Sequence, residues 1–398
     1  MQSVNPELAS IRTAVEAAAL APGARYRGAY VHVPFCRHKC HYCDFYSFVD
    51  NENRAEAYVD RLEEELRTAQ PFLTHPLETL FVGGGTPTML GAELLARILA
   101  SVARLLPFAP DAEWTVEANP ETVDESIASA LAGGGVRRVS LGAQSFNPKL
   151  LKALERDHDP ASVGRAIAHL RRAGISQINL DLIFAVPGST LEEWQEDVRA
   201  LIDLAPDHVS AYGLVYEPNT PLAVKLRKGI VTRLAEEDEA SQYEFVAEAL
   251  AQAGYERYEI SNWSRPGLPC KHNILYWENA NWWAFGPSGA SHGGGVRWRN
   301  IPRLATWLES GPSPLVDEVE HLKEDGRVGE CFMLGLRLIR GMPMGRVEEL
   351  LSAGDGSLRR RRVITAAVAD GRLEYADEHL RLTTHGLMVA DSVLSALI

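Results

Sequence analysis

Cysteine is scarce in this 398-residue chain: there are five, an odd number. So low a density excludes a disulfide-built scaffold and leads us to expect a reducing, cytoplasmic setting. Basic charge is also in deficit, with 40 lysines and arginines against 53 acidic residues and a formal net charge of -13. A duplex-binding protein would show a basic stripe, so nucleic acid is not an expected partner. Long apolar runs are missing, and none approaches the roughly 20 residues that cross a bilayer. A secretory leader is not expected either: Ala17–Leu20 is apolar, but Glu7 and Glu16 stand where a basic region belongs. What is present is 46% hydrophobic and 23% charged, the composition of a globular protein. Its length suggests two or three domains at roughly 150 residues each.

Six short apolar runs recur, each ending in a polar or glycine-rich break: 29–35, 79–82, 113–116, 138–142, 177–184 and 208–215. Stretches with helical spacing separate them, at 57–73, 94–106, 127–131, 163–170 and 194–204. Strict alternation implies a parallel sheet with right-handed crossovers. Six units are too few for a closed eight-stranded barrel, so the expected fold is α/β, an open partial (β/α)6 TIM-like barrel. A doubly wound sheet is the competing architecture. The barrel is favoured by what stands at the strand ends: Cys36, Gly83–Gly85, Glu117, Gln144, Asp181 and Tyr212. In α/β barrels those ends converge on the active site. Beyond about residue 230 the alternation stops. A charged helix over 234–253 is followed by a Trp-, Gly- and Asn-rich stretch over 262–298. The tail reads as a helix (363–370), a hairpin (372–375 and 380–382) and a closing helix, similar to a winged-helix fragment used for packing.

Cys36, Cys40 and Cys43 stand in PFCRHKCHYCDF, a C-x3-C-x2-C spacing. Random placement of five cysteines gives a specified triplet on the order of once in a thousand such chains, so this is a ligand array. One reading is a structural zinc with His38 or His41 as fourth ligand. Zinc usually draws cysteine pairs from two separated places, whereas these thiols share one loop after the first strand. The other reading is a [4Fe-4S] cluster with three cysteine ligands and one open iron.

On this motif the sequence resembles the radical S-adenosylmethionine (SAM) superfamily, whose members chelate SAM at the open iron. The resemblance extends along the other strand ends and implies a SAM site. GGGTP lies against the methionyl amine in the family, which assigns Gly84, Gly85 and Thr86 to cofactor binding. Glu117 in VEANP offers acceptor oxygens to the sulfonium or ribose, and Gln144 in LGAQSF and Asp181 in NLDLI serve the ribose region. Arg156 is assigned to the methionyl carboxylate, although the family's usual Leu-Gly-Arg reads Leu154-Glu155-Arg156 here. Tyr30 in YVHVPFC and Tyr42 in the cysteine loop are placed near the cluster. The glycine-rich loop 285–295 also departs from the expected family pattern.

Together, YxHxPFC, GGGTPT, VEANP, GxQSF and DLIxxxPG resemble the HemN/HemW family of oxygen-independent coproporphyrinogen III oxidases and haem chaperones. Three features point to the chaperone branch. The oxidases carry a fourth cysteine where Phe45 stands, and they have a longer N-terminal arm than the about 28 residues found here. The third is His272-Asn273-Ile274-Leu275-Tyr276-Trp277, the HNxxYW motif. Histidine is a common axial ligand of haem iron, and aromatic rings wall a porphyrin. From composition alone His272 reads as a buried, hydrogen-bonded core residue; the motif makes it the expected haem ligand. Cys270 and His292 are alternative iron ligands, and Cys331 reads as an inert core thiol. The implied cofactors are a [4Fe-4S] cluster, SAM and haem, and the implied partner is a haem-accepting protein, soluble or membrane-associated. Whether SAM is cleaved in turnover is left open. The expected organisation is an extension over 1–25, a radical SAM partial barrel over 26–230 and a HemN-type C-terminal domain over 231–398. Coproporphyrinogen decarboxylation is the competing activity.

Overall fold

A computed structural model describes residues 24–156, 158–313 and 315–398. The expected extension over 1–25 therefore lies almost wholly outside the described residues. β1 (Tyr26–Val33), β2 (Leu77–Gly84), β3 (Phe108–Ala118), β4 (Arg138–Gln144), β5 (Gln177–Phe184) and β6 (His208–Gly213) lie side by side in chain order. Every neighbouring pair among them is parallel. Their helices are closed by side-chain and glycine caps. Asp124 Oδ1 caps the Ile127 amide at 2.8 Å, Thr190 and Glu193 form a capping box, and Gly174 ends its helix in the left-handed conformation.

The α/β fold with a parallel sheet is as expected, but the sheet runs further than six strands. Alone, β1 and β6 would each leave one side of backbone donors and acceptors unpaired. β9 (Asn281–Phe285) pairs in parallel with β1, setting Ala29 opposite Trp283. β10 (Ala290–Gly293), β11 (Val296–Asn300) and β12 (Val316–His321) follow antiparallel. On the other side β8 (Asn262–Ser264) joins β6, and β7 (Glu256–Glu259) joins β8. The result is one open twelve-stranded sheet. One edge, β7, meets Leu338 in an isolated bridge to Glu259. The other edge, β12, carries Asp317, Glu318 and Glu320, paired with Arg299 and Arg297 of β11.

Packing does not break at residue 230. Val246, Trp263, Trp283 and Trp307 join the same core as β1–β6. A separate core gathers Val328, Phe332, Leu350, Ile364, Leu380 and Leu397. Around it the tail folds as expected: the helix Ser357–Ala369, the hairpin β14 (Leu373–Ala376) and β15 (His379–Leu382), with β13 (Met342–Pro343) added to β15. The closing helix is instead two short ones, Thr384–Met388 and Ala390–Ser395. Among the described residues no helix is long and apolar enough to cross a membrane.

The helix Lys271–Trp277 forms the floor of the barrel. At Gly28 of β1 a Cβ would sit 2.8 Å from Thr79 Oγ1 and 2.9 Å from Leu275 Cδ1. A side chain there would crowd the residues through which the helix seats against the strands.

Candidate functional site

The C-terminal strand ends open into a cavity of about 850 Å³. It is lined by Cys36, Cys40, Tyr42, Cys43, Gly84, Gly85, Thr86, Glu117, Gln144, Arg156 and Asp181. Sequence reasoning named all eleven. Parallel strands bring their ends to one side, so residues distant in the chain meet there.

Backbone bonds fasten the cysteine loop to the glycine loop: Gly85 N–H donates to Val33 O and Thr86 N–H to Phe35 O, both at 2.7 Å. Gly84 has φ +101°, and a Cβ there would run into the His32 ring. Its free N–H donates to Glu117 Oε2 at 3.0 Å. Thr86 Oγ1 lies 3.7 Å from Cys36 Sγ. Among the described residues no three His, Cys, Asp or Glu side chains converge tightly enough to share one ion. The three thiols instead border the common cavity. Burial pushes the Cys43 thiol up, and Arg156 Nη1 stands 3.8 Å from Cys40 Sγ, a cation beside a prospective thiolate.

Two carboxylates face each other across the cavity. Burial, with Asp181 nearby, pushes Glu117 up to about 7. Burial also raises Asp181, which is held by neutral donors: Asn179 Nδ2 at 2.7 Å and Ser140 Oγ at 3.0 Å. Gln144 sits at φ +64°, a conformation non-glycine residues rarely adopt. Arg156 Nη2 donates to Gly142 O at 2.9 Å, and its Nε has no partner among the described residues. Glu155 is left-handed too, φ +52°, which accounts for a glycine being usual at this position. Its carboxylate turns away to Lys225 at 2.8 Å and approaches His38 and His41. The departure therefore leaves Arg156 facing the cavity.

Two assigned residues do not line the cavity. Tyr30 donates its hydroxyl to His32 Nδ1 at 3.2 Å, since His32 Nε2 is taken by Tyr46 O at 2.7 Å. His272 is buried in the floor, its ring stacked on Phe81. Its Nδ1 meets Thr79 Oγ1 at 2.7 Å and its Nε2 meets the Tyr276 hydroxyl at 2.9 Å. Desolvation pushes its pKa down to about 3, so the ring is neutral. Trp277 lies under Arg337, 4.6 Å from ring centre to guanidinium, which ties the floor to the C-terminal core. Cys270 is a buried thiol pushed up to about 12, donating to Glu113. His292 is bonded to Ala280 O at 2.9 Å against Trp282.

Sequence reasoning missed the polar interior. Thr115, Arg138, Ser140, Asn179, His208 and Ser210 also line the cavity. Arg138 is 1% exposed, with Nε and Nη1 lacking partners among the described residues. The signal was in the strands: Arg138-Ser140, Asn179-Asp181 and His208-Ser210 are polar pairs at period two inside apolar runs.

Residues 30–201 match the radical SAM superfamily and residues 322–389 the HemN C-terminal domain. The heme chaperone HemW of Mycobacterium tuberculosis is 37% identical, with 95% of this chain and 96% of that protein covered. HemW of Lactococcus lactis is 33% identical (92% and 95% covered), and that of Escherichia coli 32% (92% and 96%). Among solved structures, coproporphyrinogen III oxidase (HemN) from E. coli superposes with a TM-score of 0.84 at 20% identity, covering 97% of this chain and 93% of that one. That likeness speaks for the fold. With the strand-end cavity and the near full-length relatives together, the chain belongs to the HemW family of radical SAM proteins.

Proposed function

We propose that this protein binds haem and passes it to an acceptor protein in the cytoplasm, with a [4Fe-4S] cluster and SAM held in the barrel cavity. The observation that carries this reading is the likeness, over 95% of the chain, to a protein named a heme chaperone. The donor set fits the cluster: three thiols on one loop, one cation beside Cys40, and an adjoining cavity with room for a second ligand. Cluster and SAM together supply one-electron chemistry at the strand ends. Glu117 and Asp181 offer acceptors to a sulfonium and a ribose, Gln144 a further ribose contact, and Arg156 a fork for a carboxylate.

His272 is the proposed haem ligand, and its neutral ring is the form that binds iron. Both ring nitrogens are engaged where it now sits. Ligation would therefore exchange the Thr79 or Tyr276 bond for iron and require the helix Lys271–Trp277 to draw back from β1 and β2. A haemin titration of anaerobic, cluster-loaded protein tests the reading, beside an assay for coproporphyrinogen decarboxylation. Tight haemin binding without decarboxylation is expected. Decarboxylation without haemin binding would make the protein an oxidase.

A further inference from the structure

The polar network beneath Asp181 has a direction. A carboxylate only accepts, so Asn179 must present Nδ2 to Asp181 Oδ1, at 2.7 Å. The same Nδ2 donates to Ser140 Oγ at 2.7 Å, and that hydroxyl donates to Asp181 Oδ2 at 3.0 Å. Asn179 Oδ1 therefore faces His208, whose Nδ1 carries the proton and donates at 2.6 Å. Burial keeps His208 neutral, so Nε2 accepts from the Tyr258 hydroxyl at 2.8 Å. The Tyr258 oxygen accepts from Asn273 Nδ2 at 3.3 Å. Every donor points from the floor helix towards one carboxylate.

We infer that His208 and Tyr258 are positioning residues for Asp181, anchored by Asn273 of the HNxxYW helix. The inference rests on the proposed contact between Asp181 and the ribose of SAM. Its physical basis is that the donors to Asp181 are neutral side chains, each oriented by the next. Removing His208 leaves Asn179 Oδ1 only the longer bond from Ser210 Oγ at 3.2 Å, and removing the Tyr258 hydroxyl leaves His208 Nε2 unpaired; either change loosens the amide that holds the carboxylate. HNxxYW would thus contribute to the SAM site through Asn273, in addition to any role of His272.

The test is the SAM dissociation constant of anaerobically reconstituted protein, by equilibrium dialysis, with iron content as the check on cluster loading. His208→Leu should weaken SAM by roughly tenfold and the milder Tyr258→Phe by about threefold, at unchanged iron. His208→Gln, which keeps one donor and one acceptor, should restore most of the affinity. The double variant His208→Leu/Asp181→Ala should bind no more weakly than Asp181→Ala, because both act through one carboxylate. Parent-like affinity in His208→Leu and Tyr258→Phe, with Asp181→Ala weakened, overturns the relay alone. Parent-like affinity in Asp181→Ala as well overturns the ribose contact beneath it. Multiplying losses in the double variant, or no rescue by glutamine, would assign His208 a structural role only.

Discussion

The two ends of the barrel are built on opposite terms. At the strand ends, carboxylates, thiols and an arginine face open space, with Glu117 pushed up to about 7 and the Arg156 Nε unpartnered among the described residues. At the floor the His272 ring is closed in, with both nitrogens bonded and the ring stacked. Unsatisfied polar groups cost stability unless a ligand completes them, so the upper end reads as a site shaped for cofactors. The His272 ring is satisfied without a ligand, and haem must compete with the protein for it.

That contrast can be broken most severely at the thiols. Replacing Cys36, Cys40 or Cys43 by Ala should abolish the cluster, while Cys331→Ala should keep it; iron and sulfide content decides. At the floor, His272→Ala should retain cluster and SAM response and lose tight haem binding. Burying the remaining aromatics still stabilises by a few kcal/mol at most, so a weaker complex with a shifted Soret band is expected. An unaltered Soret band and affinity would clear His272 and turn suspicion to Cys270 or His292.

A smaller effect is expected from pH. Glu117 sits near 7 because burial and Asp181 disfavour its charge. A sulfonium cation favours the ionised form, so SAM affinity should rise by roughly tenfold from about pH 6 to about pH 8. Glu117→Gln should flatten that rise, and a profile that keeps its slope would remove Glu117 from the cofactor contact. The mildest test is Thr79→Val, which deletes one hydroxyl from His272 at nearly constant volume. Losing a bond of about 1 kcal/mol should speed haemin binding by a few-fold in stopped-flow. Unchanged rates would mean that the floor helix does not have to move.

The residues that sequence pattern placed correctly are those whose environment is local. QINLDLIF, buried on both faces, becomes β5 over the expected span Gln177–Phe184. The strand-end residues follow from parallel order alone. β9 was hidden, because NWWAF finds its partner β1 some 250 residues away, and short antiparallel strands such as ASHG carry no run to read. His272 was named by its motif, yet its burial depends on a helix folding under strands far from it in sequence. The Tyr30 hydroxyl is directed by a contact that strand alternation does show: it bonds His32, two residues on along the same strand and on the same face.

The outer strand β12 has a consequence of its own. With the β7 edge met by Leu338, β12 is the long edge where a foreign strand could add to the sheet. Asp317, Glu318 and Glu320 line it with negative charge, partly matched by arginines on its inner neighbour. An approaching copy would bring its own acids against them and be repelled before backbone pairing began. The surplus of acidic residues thus does protective work at the place where this sheet is most exposed to aggregation, and screening by high salt would weaken that protection first.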